Sequence, residues 1–131
     1  MVPAIRISAW NVNGLISKEN DKTKDPTFIN LINQNDIVIL METKCQANQT
    51  IYMPGFYSFH LYRRTLQTAK TESGGIVILC KQSLKKGIKI LQNSSQDYVW
   101  LKLQKKFFNL EKDLFLCAAY DPPPQSTYSL R

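Results

Sequence analysis

The chain has 131 residues, a length that fits one domain, and its 44% hydrophobic and 21% charged residues exclude a disordered segment. Its longest uninterrupted aliphatic run, Ile37 to Met41, is five residues, far below the ~20 needed to span a bilayer, so no membrane partner is expected. The formal net charge of +7 is unevenly spread: residues 1 to 62 carry five basic and five acidic side chains, residues 63 to 112 carry eleven and three, and the tail carries one and two.

The basic middle third points to a polyanionic partner. Lys81, Lys85, Lys86 and Lys89 form one cluster, Lys102, Lys105, Lys106 and Lys112 form another beside Phe107 and Phe108, and Arg63-Arg64 adds a third basic site. The competing reading is that these lysines simply solubilise turns and sheet edges. Cys45, Cys80 and Cys117 are odd in number and form no Cys-x-x-Cys pair, and Cys80 and Cys117 read as small buried hydrophobes in a reducing cytosol or nucleus. The opening Met1-Val2-Pro3-Ala4 is not followed by the apolar stretch of a signal peptide, so a nuclear or cytoplasmic location is expected.

In chain order, Ile5, Ile7 and Ala9 alternate with Arg6, Ser8 and Trp10, the period of a half-buried strand, and Asn11, Asn13 and Gly14 stop it. A polar loop from Ser17 to Lys24 precedes a clear helix start, with Asp25 as N-cap, Pro26 in the first turn, and Phe28, Leu31 and Ile32 on one face. The apolar run Ile37 to Met41 then ends in Glu42, which predicts a strand, crossover helix and parallel strand. Adjacent parallel strands end side by side, so Asn11 and Glu42 are candidates to converge on one ion or phosphate, although Asn-x-Asn-Gly is also ordinary turn chemistry.

Pro54-Gly55 leads into a predicted strand at Phe56 to Tyr62, which holds His60, the only histidine and one expected to be structural. Gly74-Gly75 precedes a strand at Ile76 to Cys80, and further strands are predicted at Ile88 to Gln92, Tyr98 to Gln104 and Asp113 to Tyr120. These later strands read as an antiparallel meander added to the same sheet. Ile37 to Met41, Ile76 to Cys80 and Leu114 to Tyr120 are apolar at every position, a pattern that expects cover on both faces, and one short helix cannot supply it. On patterning alone the chain looks like half of a layered α/β domain, with an uncovered sheet face open to self-association or a protein partner. The tail from Asp121 to Arg131 reads as an extended, polyproline-like segment.

Six pieces together carry a resemblance. They are Trp-Asn-Val-Asn-Gly-Leu at 10 to 15, Met-Glu-Thr-Lys at 41 to 44, Met-Pro-Gly-Phe at 53 to 56, Ser-Gly-Gly-Ile-Val-Ile at 73 to 78, Asp-Tyr-Val-Trp-Leu-Lys-Leu at 97 to 103 and Ala-Ala-Tyr-Asp-Pro-Pro at 118 to 123. In this order they resemble the N-terminal half of the endonuclease/exonuclease/phosphatase superfamily, most closely the apurinic-endonuclease-type domain of LINE-like non-LTR retrotransposons. The resemblance implies an α/β fold, half of a four-layered α/β/β/α sandwich like that of deoxyribonuclease I, with a mixed sheet, one βαβ unit and later antiparallel strands. It also implies hydrolysis of phosphate esters with Mg²⁺.

Carried over by position, Glu42 resembles the metal-ligating glutamate, Asn11 the asparagine that arranges phosphate and metal, and Tyr120 the tyrosine that contacts the scissile phosphate. Asn13 stands where some relatives have aspartate. Arg63, Arg64, Lys81, Lys85 and Lys86 are the candidate DNA contacts. The sequence departs from the family in lacking both a Gly-Asp-x-Asn motif and an Asp-His pair. Three readings follow: a Mg²⁺-dependent DNA endonuclease represented by its first half and inactive alone, a non-catalytic remnant that binds nucleic acid or protein, and a phosphatase of the same superfamily.

Overall fold

The computed structural model describes residues 4–17, 19–46, 49, 51–62, 74–92, 95 and 97–120. The strands are β1 (Ile7–Asn11), β2 (Ile37–Met41), β3 (Phe56–Leu61), β4 (Ile76–Lys81), β5 (Ile88–Leu91), β6 (Tyr98–Leu103) and β7 (Leu114–Ala119), and the helices are α1 (Pro26–Asn33) and the short α2 (Lys105–Phe108). Three-residue-per-turn helices at Lys22–Lys24 and Gln82–Gly87 fill two stretches that the sequence presents only as polar turns.

Helix α1 starts where its sequence dictates. The Asp25 carboxylate accepts the Thr27 N–H at 2.9 Å, and Pro26 occupies the first turn, where no N–H is missed. At the other end the side-chain amides of Asn33 and Asn35 donate to the carbonyls of Ile29 and Leu31, adding to the backbone bonds of the last turns. Ile32 is fully buried with Phe28 and Ile29 beside it, but Leu31 remains 43% exposed, so the buried stripe is narrower than its i, i+3, i+4 pattern implies.

The crossover through α1 makes β1 and β2 parallel, in a register that runs from Ile7 opposite Ile37 to Asn11 opposite Met41. Strands β4 and β3 add antiparallel, giving the order β1-β2-β4-β3. The single sheet that patterning alone suggests is not what forms; the two packed sheets that the family resemblance implies are. Strands β5, β6 and β7 build a separate antiparallel sheet, and its inner face packs on the face of the first sheet that α1 leaves bare. This resolves the doubly apolar strands. Val38, Leu40, Val77 and Leu79 face the α1 side, while Ile37, Ile39, Ile76, Ile78 and Cys80 meet Ile88, Val99, Leu101 and Leu103 between the sheets. The result is an α/β layering with one mixed and one antiparallel sheet.

Other local readings change for related reasons. Strand β1 lies at a sheet edge, and its Ile7 and Ala9 are exposed while Ser8 and Trp10 are half-buried toward α1, the reverse of the simple alternation. Strand β7, despite its apolar run, is covered on one face only: Ala118 is buried, whereas Phe115, Cys117 and Ala119 are open. Cys117 is therefore an exposed thiol rather than a buried one, and Cys45 joins Cys80 in the interior. Burial raises the pKa of both interior thiols, which keeps them protonated. No helix among the described residues is long and apolar enough to cross a membrane. The tail from Asp121 to Arg131 lies outside the described residues.

Candidate active site

Asn11 ends β1 and Glu42 directly follows β2. Because Asn11 pairs with Met41 in the parallel register, the two side chains leave adjacent strands at the same end of the sheet, one residue apart in register. Pairing continues past the strand: Val12 N–H donates to Met41 O, Gly14 N–H to Glu42 O and Leu15 N–H to Thr43 O, all within 2.9 Å. On the far side Thr43 and Lys44 donate to Gly75 and Gly74, the residues that open β4. Glu42 to Lys44 is thus clamped between two neighbouring segments.

This clamp holds unusual backbone. Asn13, Glu42 and Lys44 have φ of 47°, 55° and 56°, in the left-handed region where only asparagine is at ease among the three. Gly75 at φ 91° has no substitute here, because a Cβ would lie 2.7 Å from Thr43 Oγ1, and Thr43 is buried. Strain of this kind costs about 1 kcal/mol or more per residue and concentrates where a side chain must be aimed. Glu42→Gly should therefore unfold at the same denaturant concentration as the native chain or a higher one. A clear loss of stability on equilibrium unfolding would show that Glu42 has a structural rather than a presented role.

The polar contacts at the tip are specific. Asn11 Oδ1 accepts the Asn13 N–H at 3.0 Å, which fixes the carboxamide and leaves its Nδ2 to donate. Lys44 Nζ donates to Asn13 Oδ1 at 2.8 Å and stands 3.7 Å from Glu42 Oε1. Both partners of this ion pair are partly solvent-accessible, so it is weak and open to exchange for a phosphate or cation. Lys44 is a residue the sequence reading missed, although it lies in the Met-Glu-Thr-Lys motif. Beside Asn11, on the α1 side, a cleft of about 450 Å³ is walled by Trp10, Phe28 and Leu31, with Lys22, Asp25 and Asn20 among its polar lining.

Tyr120 follows β7 and donates its backbone N–H to Asp97 O at 2.9 Å. Its ring packs against the same inter-sheet core as Met41. The chain leaves β4 at its Lys81 end, returns along β5, and reverses twice, so in aligned stacked sheets β7 finishes at the Asn11 and Glu42 end. With the sheets stacked in that aligned sense, Tyr120 falls at the same end as Asn11 and Glu42.

The lysines do not. Lys81 pairs with Asp36 at 3.1 Å beside the start of β2, and Lys85 Nζ lies 5.5 Å from the centroid of the Tyr57 ring. With Lys86 they belong to the opposite end of the sheet, about five residues, or ~16 Å, from Glu42 along β2. Arg63 and Arg64 lie outside the described residues. His60, on β3, shares a hydrogen bond of 2.9 Å with Tyr62 Oη, and burial lowers its pKa, which favours the neutral ring.

Two stacked sheets thus present an asparagine and a glutamate at neighbouring strand tips. A family model described as Endonuclease/Exonuclease/phosphatase family matches residues 8–130, and the chain belongs to that family. The activity class of the family is nuclease- or phosphatase-type hydrolysis. No curated protein matches the chain.

Proposed function

We propose that this domain carries part of a Mg²⁺-dependent DNA endonuclease site, akin to the apurinic-endonuclease-type domains of LINE-like retrotransposons, and corresponds to the N-terminal half of such a domain. The observation that supports this best is the delivery of Asn11 and Glu42 from adjacent parallel strands onto one strained, doubly clamped tip. Among the described residues no three His, Cys, Asp or Glu side chains cluster into a self-sufficient metal site. The donors present suit Mg²⁺, which keeps several waters and is held by one or two carboxylates together with substrate phosphate. Glu42 would be the carboxylate ligand and Asn11 Oδ1, through its remaining lone pair, a second oxygen. Bound there, the ion supplies Lewis-acid polarisation of a phosphoryl oxygen.

The chain's own groups divide the remaining work. Asn11 Nδ2 donates to a phosphate oxygen, Lys44 contributes positive charge at the same place, and Tyr120 Oη contacts the phosphate from the second sheet. Trp10 and Phe28 offer an adjoining nucleotide an aromatic wall. A base to activate water is missing from this set, as are the Gly-Asp-x-Asn and Asp-His motifs from the sequence. We therefore assign the chain DNA binding without hydrolysis on its own, and a nuclear or cytoplasmic setting suits its three free thiols.

Fluorescence anisotropy with a labelled DNA duplex tests the binding half of this reading. Affinity should fall steeply between ~50 mM and ~200 mM salt, and Lys44→Ala should lower the slope of log affinity against log salt by about 1. Salt-independent binding, or tighter binding of a small phosphomonoester than of DNA, would favour the phosphatase reading instead.

A further inference from the structure

The two lysine clusters of the middle third, well separated in sequence, meet in the fold. The helical turn Gln82–Gly87 ends directly before β5, and α2 begins just after β6. Because β5 and β6 are antiparallel, with Ile88 opposite Leu103, the two connections lie side by side, and the Gln104 N–H donates to Gly87 O at 2.9 Å. Leu84 and Phe108 pack inward on the inter-sheet core, which leaves Lys85, Lys86, Lys105 and Lys106 exposed on the outside. The ion pairs at this end among the described residues are Lys81 with Asp36 and Lys102 with Asp113, so these four lysines belong to neither. The patch is assembled wholly from connections between paired strands of this chain.

An aromatic ring is pinned among these charges. Phe107, 41% exposed, lies against Gly87 so closely that a Cβ at position 87 would overlap its ring, and Phe108 meets it edge-on with centroids 4.9 Å apart. Gly87 lies outside the left-handed region, so its missing side chain makes room for the ring rather than for the backbone. A ring fixed in advance loses little freedom when a ligand stacks on it. We propose that this end of the sandwich binds a single strand of nucleic acid, with phosphates on Lys85, Lys86, Lys105 and Lys106 and a base stacked on Phe107. Lysines around an aromatic ring are the combination a single strand needs, because every phosphate carries a charge and every base offers a π-face. An acidic peptide would use the lysines and leave the ring without a partner, and a duplex keeps its base faces stacked inside the helix. The site stands at the end of the sheets away from Asn11 and Glu42, and it holds whether or not those residues bind metal.

Fluorescence anisotropy with a labelled oligothymidylate of about 12 nucleotides, within the span of a small single-strand site, provides the test. Replacing Lys85, Lys86, Lys105 and Lys106 together by glutamine should weaken binding at least ~10-fold and lower the slope of log affinity against log salt by about 3, at roughly 0.7 per phosphate contact. Phe107→Ala should weaken binding by roughly 5- to 100-fold with the salt slope kept, and Phe107→Tyr, which preserves the stacking face, should bind as the native chain does. Without divalent cation, added oligothymidylate should shift the amide resonances of Lys85 to Ile88 and Gln104 to Phe108 and leave those of Asn11 to Gly14 and Glu42 to Lys44 in place, which reads this site apart from the metal tip. An affinity indifferent to the lysine or the Phe107→Ala variants, shifts confined to the tip, or equal competition by polyglutamate of matched length would overturn the proposal.

Discussion

Purified alone, the chain should leave supercoiled plasmid intact in Mg²⁺, and addition of a polypeptide carrying the Gly-Asp-x-Asn and Asp-His motifs of a relative should restore nicking that Glu42→Ala then abolishes. The expectation rests on counting groups. Metal-assisted hydrolysis needs a held metal, an activated water and stabilisation of charge on the phosphate and leaving oxygen. In the proposed site Glu42, Asn11, Lys44 and Tyr120 would bear on the metal and phosphate, and that set contains no group to activate water. Removing one catalytic donor or base commonly costs ~10²- to 10⁴-fold, so the lack of several leaves activity near background. In the complemented enzyme Glu42→Ala should reduce nicking by at least ~10²-fold. Nicking by the isolated chain that survives Glu42→Ala, once contaminating nucleases are excluded, would remove Glu42 from the site.

The second large effect concerns stability. Leu101→Ala should destabilise the domain by about 2–5 kcal/mol on denaturant unfolding. Leu101 is fully buried at the middle of β6, paired with Leu116 and Ile90, and packs in the layer that also holds Ile39, Ile76 and Ile78 of the first sheet. A cavity there separates the two sheets on which Tyr120 and Met41 depend for their placement. By contrast Leu31→Ala, on the exposed flank of α1, removes little buried surface and should shift unfolding by less than about 1 kcal/mol. Equal costs at the two positions would contradict the inter-sheet layer as the principal core.

Much of this arrangement is legible in the sequence, and the parts that are not have identifiable causes. The helix start at Asp25-Pro26 is local chemistry, and the placement of Asn11 and Glu42 at one end of the sheet follows once a βαβ unit is read from the apolar periods. The split into two sheets is not local, because a strand's pattern records how many of its faces are buried but not which sheet it joins. The apolar runs of β2 and β4 announce the need for a second layer, and β5 to β7 supply it. Strand β7 misleads because apolar residues on its outer face look the same in sequence as buried ones. The positive φ of Glu42 and Lys44 has no signal in residue type, since neither residue favours that region. The lysine clusters record adjacency in the chain and not their distance from Glu42. Lys81, Lys85 and Lys86 are close in sequence because one turn holds them, and that turn caps the end of the sheet away from Glu42.

Asn11 and Glu42 are proposed to form one cation- and phosphate-binding tip, with Tyr120 at the same end of the sandwich. Paramagnetic broadening of backbone amide resonances by sub-stoichiometric Mn²⁺, with excess Mg²⁺ as competitor, tests this without reference to activity. The expected result is selective loss of signals from Asn11 to Gly14, Glu42 to Lys44 and Tyr120, reversed by Mg²⁺ and absent in Glu42→Ala. Broadening centred on Glu111 and Asp113, or a pattern unchanged by Glu42→Ala, would place the cation elsewhere and contradict the site.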